Sequence, residues 1–177
     1  MNWKPALLPI FAALLIALCT PTSFAAEDSI YITTVLKFAD FSKNVLPLFE
    51  KKKSDDAVKN VTFRLPCIMV YNPAGVLIYY GSDPIANGSF LNHLPESAVG
   101  RTLTNGLLQR NEVFAAVPDF AKAKDTIKSD HHYLVFALTQ FPSHPMCLPQ
   151  DSAVRALRQR VGAASVDVLQ IALDMKG

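Results

Sequence analysis

The C-terminal part of the chain constrains the fold most, because its pattern indicates a strand, a loop, a helix and a second strand. HYLVFALTQ (132–140) is a near-continuous apolar run, which is typical of a strand in the buried middle of a sheet. DSAVRALRQRVG (151–162) begins with a capping Asp151 and ends at Gly162, as helices commonly do. SVDVLQIALD (165–174) alternates apolar residues loosely, as a final strand. Such a unit predicts a right-handed parallel crossover.

A β-hairpin is predicted in the middle of the chain. Two strand-like runs, VTFRLPCIMVY (61–71) and VLIYYG (76–81), flank NPAG (72–75). Pro73 and Gly75 suit a tight reversal between them. Joined to the crossover, the hairpin gives a mixed β-sheet flanked by helices, so the predicted fold class is α/β.

The remaining elements are less sharply marked. SIYITTVLKF (29–38) is β-branched and apolar enough for a strand, and FSKNVLPLFEKKK (41–53) has apolar residues at helical spacing. Pro47 must then kink that helix or lie in its first turn. DFAKAKDTIKS (119–129) indicates another helix. Residues 99–117 fit either one interrupted helix or a strand followed by a helix.

The first 25 residues predict a secretory signal peptide. Lys4 precedes an apolar run that is shorter than the ~20 residues a membrane-spanning helix needs. Ser23 and Ala25 supply small residues at the cleavage positions. We therefore expect residues 1–25 to be removed after Ala25 and residues 26–177 to form a single domain in the periplasm or outside the cell.

Charge and hydropathy exclude two classes of partner. The chain has 17 Lys and Arg against 15 Asp and Glu, and loss of Lys4 brings the mature chain close to neutral. Apart from the lysines at 51–53 its basic residues are scattered, so no electrostatic footprint for nucleic acid is present. No second apolar run is long enough to span a membrane. The expected partner is another protein, and no cofactor is expected.

Two cysteines, Cys67 and Cys147, remain after the signal peptide. In an oxidising compartment two cysteines form one structural disulfide more often than they stay free. A Cys67–Cys147 bridge would close a loop of about 80 residues and contribute ~3–5 kcal/mol on the chain-entropy model. We therefore predict this disulfide, with two free thiols as the alternative.

The crossover and the hairpin together resemble the core of periplasmic thioredoxin-like proteins. In that family an apolar strand leads into Cys-x-x-Cys at a helix start, the place taken here by FPSHPMCLPQ (141–150). The hairpin LPCIMVYNPAGVLIYYG is similar to the family's proline-initiated strand pair. The resemblance implies that Pro66 follows a cis peptide bond and faces the active site.

The chain departs from the family pattern in two respects. His144-Pro145-Met146-Cys147 stands in place of Cys-x-x-Cys, so His144 occupies the position of the attacking cysteine and Cys147 that of the buried resolving one. The hairpin also precedes the crossover, whereas the family order is the reverse, which indicates either a permuted relative or a chain whose N-terminal half is an independent addition. Without a dithiol at this spacing, ordinary thiol–disulfide exchange is excluded by residue count.

The leading functional hypothesis is an exported interaction module without dithiol activity that binds another protein. Its contact face would comprise the loop after the 132–140 strand, with Phe141 and Met146, and the edge at Pro66. Tyr79 and Tyr80 would complete it, since neighbouring strand residues direct one ring to each face of the sheet.

Two alternative functional hypotheses give Cys147 a chemical role. In the first, Cys147 is the nucleophile of a monothiol protein, its thiolate favoured by the helix N-terminus and by a protonated His144, with Cys67 as resolving thiol. In the second, His144, Met146 and Cys147 bind Cu(I), for which thiolate and thioether are suitable ligands.

Overall fold

The computed structural model describes residues 31–48, 64–103, 108–124, 132–140, 145–160 and 165–175. The signal-peptide prediction, Phe141 and His144 lie outside these ranges. The strands in the described part are β1 (Tyr31–Lys37), β2 (Cys67–Tyr71), β3 (Leu77–Gly81), β4 (Tyr133–Thr139) and β5 (Val166–Asp174). The helices there are α1 (Phe38–Asn44), α2 (Pro84–Asn92), α3 (Arg110–Ala116), α4 (Pro118–Ala123) and α5 (Leu148–Arg160).

The five strands form one mixed sheet in the order β1-β5-β4-β2-β3. β1, β5 and β4 are mutually parallel, and β2 and β3 form an antiparallel hairpin that joins the sheet through β2. In the hairpin turn Gly75 has a φ of 78°, a value that favours glycine, and its N–H donates to the Asn72 carbonyl at 2.8 Å. The predicted α/β class, with hairpin and crossover in one sheet, is confirmed.

Helices cover both faces of the sheet. On the first face, called here the α1 face, Cys67, Met69 and Tyr71 of β2 pack against helices α1, α3 and α4. On the second, the α5 face, Ile68 and Val70 pack against α2 and α5. Because β4 and β5 lie in the middle and are covered on both sides, they are buried along almost their whole length.

The region from 99 to 117, left open by the sequence, contains helix α3 in its described part. The Gln109 N–H, just before the helix, donates to Glu112 Oε2 at 2.7 Å. This bond satisfies one of the N–H groups that a helix start leaves unpaired. Helix α1 begins at Phe38, three residues earlier than its pattern indicated, and ends at Asn44.

One edge of the sheet, called here the carboxyl edge, gathers chain segments that are distant in sequence. The parallel strands β1, β5 and β4 end there, with Lys37 opposite Asp174 and Thr139 opposite Ala172. β2 begins at the same edge, where Cys67 pairs with Leu138. Helix α1 leaves it toward one face and α5 toward the other. In α/β proteins ligands bind in the crevice that such divergence opens.

Within the described residues, no helix combines the length and the apolar character required to cross a membrane.

Candidate functional site

Cys147 lies at the carboxyl edge, immediately before α5. Its carbonyl accepts a hydrogen bond from the Asp151 N–H at 3.0 Å, the first bond of the helix. The side chain is fully buried, whereas its neighbours Met146 and Leu148 are 58% and 43% exposed. Two large apolar side chains, one on each side of the buried cysteine in sequence, are therefore presented to solvent.

Cys67 lies at the start of β2 with its side chain in the core of the α1 face. It is fully buried, and this burial raises the pKa of its thiol. Both Cys67 and Cys147 are free thiols, so the predicted disulfide is absent from the structure. The strand pleat directs Cys67 into the core of the α1 face, whereas Cys147 immediately precedes the helix that packs on the α5 face, and the two sulfurs are not bonded.

Pro66 is buried at the carboxyl edge, and its peptide bond with Leu65 is cis, as the resemblance implies. Leu65 packs against the core of the α1 face, and Arg64 before it is exposed. The segment that leads into β2 thus offers one apolar and one cationic side chain.

Tyr79 and Tyr80 direct their rings to opposite faces, as their positions in a strand predict. Tyr79 stacks on Phe90 with ring centroids 4.0 Å apart, and its hydroxyl donates to Asn87 Oδ1 at 3.0 Å. Tyr80 packs on the α1 face, where its hydroxyl accepts a hydrogen bond from the Arg64 backbone N–H. Burial raises the pKa of both phenols. Both hydroxyls have internal partners, and partner contact by either ring stays a prediction.

A groove of about 450 Å³ opens at the carboxyl edge and is called here the edge groove. Its position follows from its wall, which combines residues directly after β1, directly before β2 and directly after β4. Its lining is mostly apolar, with one cation and one amide: Phe38, Phe41, Leu46, Arg64, Leu65 and Gln140.

A second groove, of about 510 Å³, follows the seam between α2 and α5. Gly88 of α2 faces Ala153 of α5 there, so the two helices approach closely. The larger side chains of its rim are polar or lie at the helix starts, and they include Ile85, Asn92, His93 and Pro149.

A buried chain of amides, which the sequence did not reveal, crosses beneath the start of α5. Asn87 Nδ2 of α2 donates to Gln150 Oε1 at 2.7 Å. Gln150 Nε2 in turn donates to the Cys67 carbonyl at 3.5 Å. Asn87 and Gln150 are both fully buried. These contacts fix the first turn of α5 relative to both α2 and the start of β2.

A second polar group in the same turn is a carboxyl. Asp151 Oδ1 accepts from Gln170 Nε2 at 3.0 Å, and Gln170 Oε1 accepts from the Tyr31 hydroxyl at 2.8 Å. Burial raises the pKa of Asp151 to about 6, opposed by Arg155 and by the Gln170 hydrogen bond. This carboxyl can therefore take up and release a proton near neutral pH. Periodicity gave no signal for it, because Asp151 was interpreted as a cap.

The metal alternative gains no support from the described residues. Within them, no three His, Cys, Asp or Glu side chains lie close enough together to bind a metal ion. Met146 is exposed and Cys147 is buried, so these two neighbours do not share one surface. His144 lies outside the described residues, and the Cu(I) hypothesis stays a prediction.

His132 lies at the other end of the parallel strands, remote from the carboxyl edge. Its Nδ1 lies 3.3 Å from Asp167 Oδ2, and both side chains are almost completely buried. His132 lies directly before β4, and Asp167 is the second residue of β5. The pair therefore joins the starts of these two strands, far from Cys147. Its geometry indicates a structural role.

Comparisons of the chain with protein-family models, with curated proteins and with solved structures found no match. The class of protein is therefore defined by the fold and the site alone. It is an α/β protein whose carboxyl edge combines a mostly apolar groove, a buried free thiol and two buried polar networks.

Proposed function

We propose that this chain is an exported, thioredoxin-like interaction module that binds an extended segment of another protein in the edge groove and has no dithiol activity. The observation that carries the proposal is the groove itself. Its volume of about 450 Å³ falls within the ~300–1,000 Å³ typical of ligand sites. Its apolar wall suits a large apolar side chain of the partner, and Arg64 suits an acidic group beside it.

The strand order supports the thioredoxin-like part of the proposal. Two parallel strands joined by a helix, β4–α5–β5, lie beside the antiparallel pair β2–β3 in one sheet. This is the strand–helix–strand unit and the hairpin on which the resemblance rests, with the hairpin earlier in the chain. Pro66 then stands next to the β4 end, where the resemblance puts the proline that faces the active site.

The state of the two cysteines supports the absence of dithiol chemistry. Thiol–disulfide exchange within one protein needs two sulfurs that can reach each other. Cys67 and Cys147 are not bonded to each other, and both are buried, Cys67 in the core of the α1 face. Binding at this edge therefore needs no redox step.

A second candidate, the monothiol protein, is favoured by one observation, the free thiol of Cys147 at the start of a 13-residue helix. Unpaired N–H groups at such a start favour a thiolate. Its sulfur is fully buried, so a partner could reach it only after a local rearrangement. The burial of Cys67 in the core of the α1 face weighs against Cys67 as resolving thiol.

The proposal is tested by selecting peptides from a displayed random library on the purified protein and measuring their affinity by fluorescence polarisation. Phe38→Ala and Arg64→Glu alter the groove, and Ile85→Lys on α2 is the matched surface control. Phe38 and Ile85 are 40% and 77% exposed. We expect both groove variants to weaken binding by about tenfold or more, which corresponds to ~1.4 kcal/mol, and Ile85→Lys to leave it unchanged.

Peptides that bind the two groove variants as tightly as the unchanged protein would overturn the proposal, as would a library that yields no binding peptide. Circular dichroism of each variant verifies that the fold is retained. A separate arm uses Cys147→Ser. Covalent, reductant-sensitive capture of a cysteine-containing peptide that disappears in this variant would replace the interaction module by the monothiol protein.

A further inference from the structure

The outer edge of the sheet at β1 is open within the described part of the chain, where β1 pairs only with β5. Its side chains alternate between exposed and partly or fully buried, Thr34 being buried and Val35 67% exposed. The strand YITTVLK is β-branched and apolar, and its single charge is at Lys37, its last residue. An edge of this length and composition is a template for pairing with another strand.

Natural edge strands usually carry a device that prevents such pairing, such as a proline, a central charge or a bulge. β1 has none of these, and its register with β5 runs without interruption from Tyr31 to Lys37. The other outer strand of the sheet, β3, is different. There the β2–β3 register shifts between Val70 and Tyr71, and the Leu103 N–H occupies the Leu77 carbonyl at 2.8 Å. Among the described residues, the β3 edge is thus partly occupied and the β1 edge is unpaired.

The residue pattern of β1 is complementary to itself. In an antiparallel pair of two β1 strands centred on Thr34, Thr33 faces Val35 and Ile32 faces Leu36 of the other copy. Tyr31 then faces Lys37. These are β-branched, aliphatic and aromatic–cation pairs, and no two like charges stand opposite each other. Every residue of the strand finds a partner in this register.

We infer that β1 pairs with β1 of a second copy of this chain, so that the two sheets join into one continuous sheet in a two-fold dimer. In such a pair the axis is perpendicular to the sheet, and equivalent faces of the two copies lie on the same side. Alternate N–H and C=O groups of β1 that point away from β5 supply the hydrogen bonds. The inference is independent of the proposed function, because it concerns β1 and not the edge groove.

Charge near the axis is compatible with this pairing. Thr34 Oγ1 donates to Asp119 Oδ2 of α4 at 3.0 Å, so each copy brings this carboxylate near the two-fold axis. Lys122 Nζ lies 3.7 Å from Asp119 Oδ1 in the same copy. The lysine offsets the repulsion between the two carboxylates.

The first experiment measures the molar mass of the purified protein by light scattering over a concentration series. We expect a dimer for the unchanged protein and for Val35→Thr, which keeps a β-branched residue at the edge. Val35→Lys adds the charge that natural edges use against pairing, and we expect it to be a monomer with the same circular dichroism spectrum. Ile85→Lys, the exposed control on α2, stays dimeric. A monomeric unchanged protein, or a dimeric Val35→Lys, would overturn the inference.

The second experiment tests the register. Thr33→Cys and Val35→Cys proteins are mixed and oxidised, since residues directly opposite in an antiparallel pair have Cα atoms about 4.5–5.5 Å apart, a distance that a disulfide spans. We expect the cross-linked dimer in the mixture and not in either variant alone. Cross-links that form equally in a single variant would contradict the Thr34-centred pairing. The native thiols do not interfere, because both are buried.

Discussion

At the scale of the residue, the two thiols decide what chemistry the chain can perform. Cys67 and Cys147 are fully buried and free. The sequence supplied their number and their positions next to a strand and a helix. It did not supply the direction of each side chain, which depends on where the pleat of β2 begins. For that reason the sequence could not decide between a bridge and two free thiols, and the structure has the two thiols free. The exclusion of a dithiol motif does not depend on this.

The first prediction concerns the accessibility of these thiols. We expect a chromogenic disulfide reagent to react with neither Cys67 nor Cys147 in the native processed protein within minutes. We expect it to react with both after denaturation without reductant, because burial alone protects them. Two thiols that appear only after reduction would show a bridge. A fast native reaction that Cys147→Ala abolishes would favour the monothiol candidate.

The tyrosines show what a residue pattern predicts well. Because side chains alternate along a strand, Tyr79 and Tyr80 were predicted to point to opposite faces of the sheet, and they do. The same pattern could not show that Tyr79 bonds to Asn87, because that contact depends on how α2 packs against the strand.

At the scale of the element, strands and helices followed from the sequence because hydrophobic periodicity is a local property. The contact between α2 and α5 did not follow, because PIANGSFLN and LPQDSAVRALRQR both carry polar residues that are typical of solvent-exposed helix faces. Asn87 and Gln150 became buried only because the two helices meet. A single sequence contains no signal for which polar side chains face each other between elements.

The second prediction concerns Gly81, which ends β3 beneath the Tyr79–Asn87 hydrogen bond. A Cβ atom at Gly81 would overlap Asn87 Oδ1 and the Tyr79 hydroxyl, and it would lie 2.8 Å from Tyr79 Cε1. We expect Gly81→Ala to break this hydrogen bond and lower the free energy of unfolding by ~1–3 kcal/mol. Urea unfolding followed by circular dichroism measures the change.

Gly88→Ala is the matched control for Gly81→Ala. A Cβ atom at Gly88 would lie 3.7 Å from Ala153 Cβ and 3.7 Å from the Pro149 carbonyl oxygen, which is ordinary contact. Alanine also favours a helix interior over glycine by ~0.5–1 kcal/mol. We expect Gly88→Ala to be as stable as the unchanged protein or more so. Equal losses in the two variants would contradict the proposed role of the Tyr79–Asn87 bond.

At the scale of the whole molecule, the α/β class was predictable because a hairpin and a crossover leave few ways to build one sheet. The edge groove was not, because its wall combines Phe38, Leu65 and Gln140, which three separate segments contribute. The sequence named Pro66 and the loop at Met146 as parts of a contact face. It gave no reason to include the start of α1.

The third prediction concerns the pH dependence of stability. Burial raises the pKa of Asp151 from 3.8 to about 6 in the folded protein. The folded state therefore holds this proton up to higher pH than the unfolded state does. It follows that the contribution of Asp151 to the free energy of unfolding is largest below about pH 4 and falls as the pH rises toward about 6.

Asp151→Asn removes this ionisation and keeps an oxygen that accepts from Gln170. We expect the variant to match the unchanged protein near pH 4 and to exceed it above pH 7 by on the order of 1 kcal/mol, a value that allows for solvent screening. Thermal unfolding across this pH range measures the difference between the two proteins, in which the effects of other groups cancel. A difference that stays constant with pH would contradict the prediction.

The buried amide pair of Asn87 and Gln150 has a consequence for how the two helices are aligned. Gly88 of α2 and Ala153 of α5 are small residues that approach each other at this interface. The amide hydrogen bond at 2.7 Å adds a specific contact between the same two helices. A shift of one helix along the other would break this bond and leave Gln150 Oε1 in the core without its donor, which costs about 1–3 kcal/mol. The pair thus favours a single position of α5 against the sheet, and with it a single position of the buried Cys147 side chain.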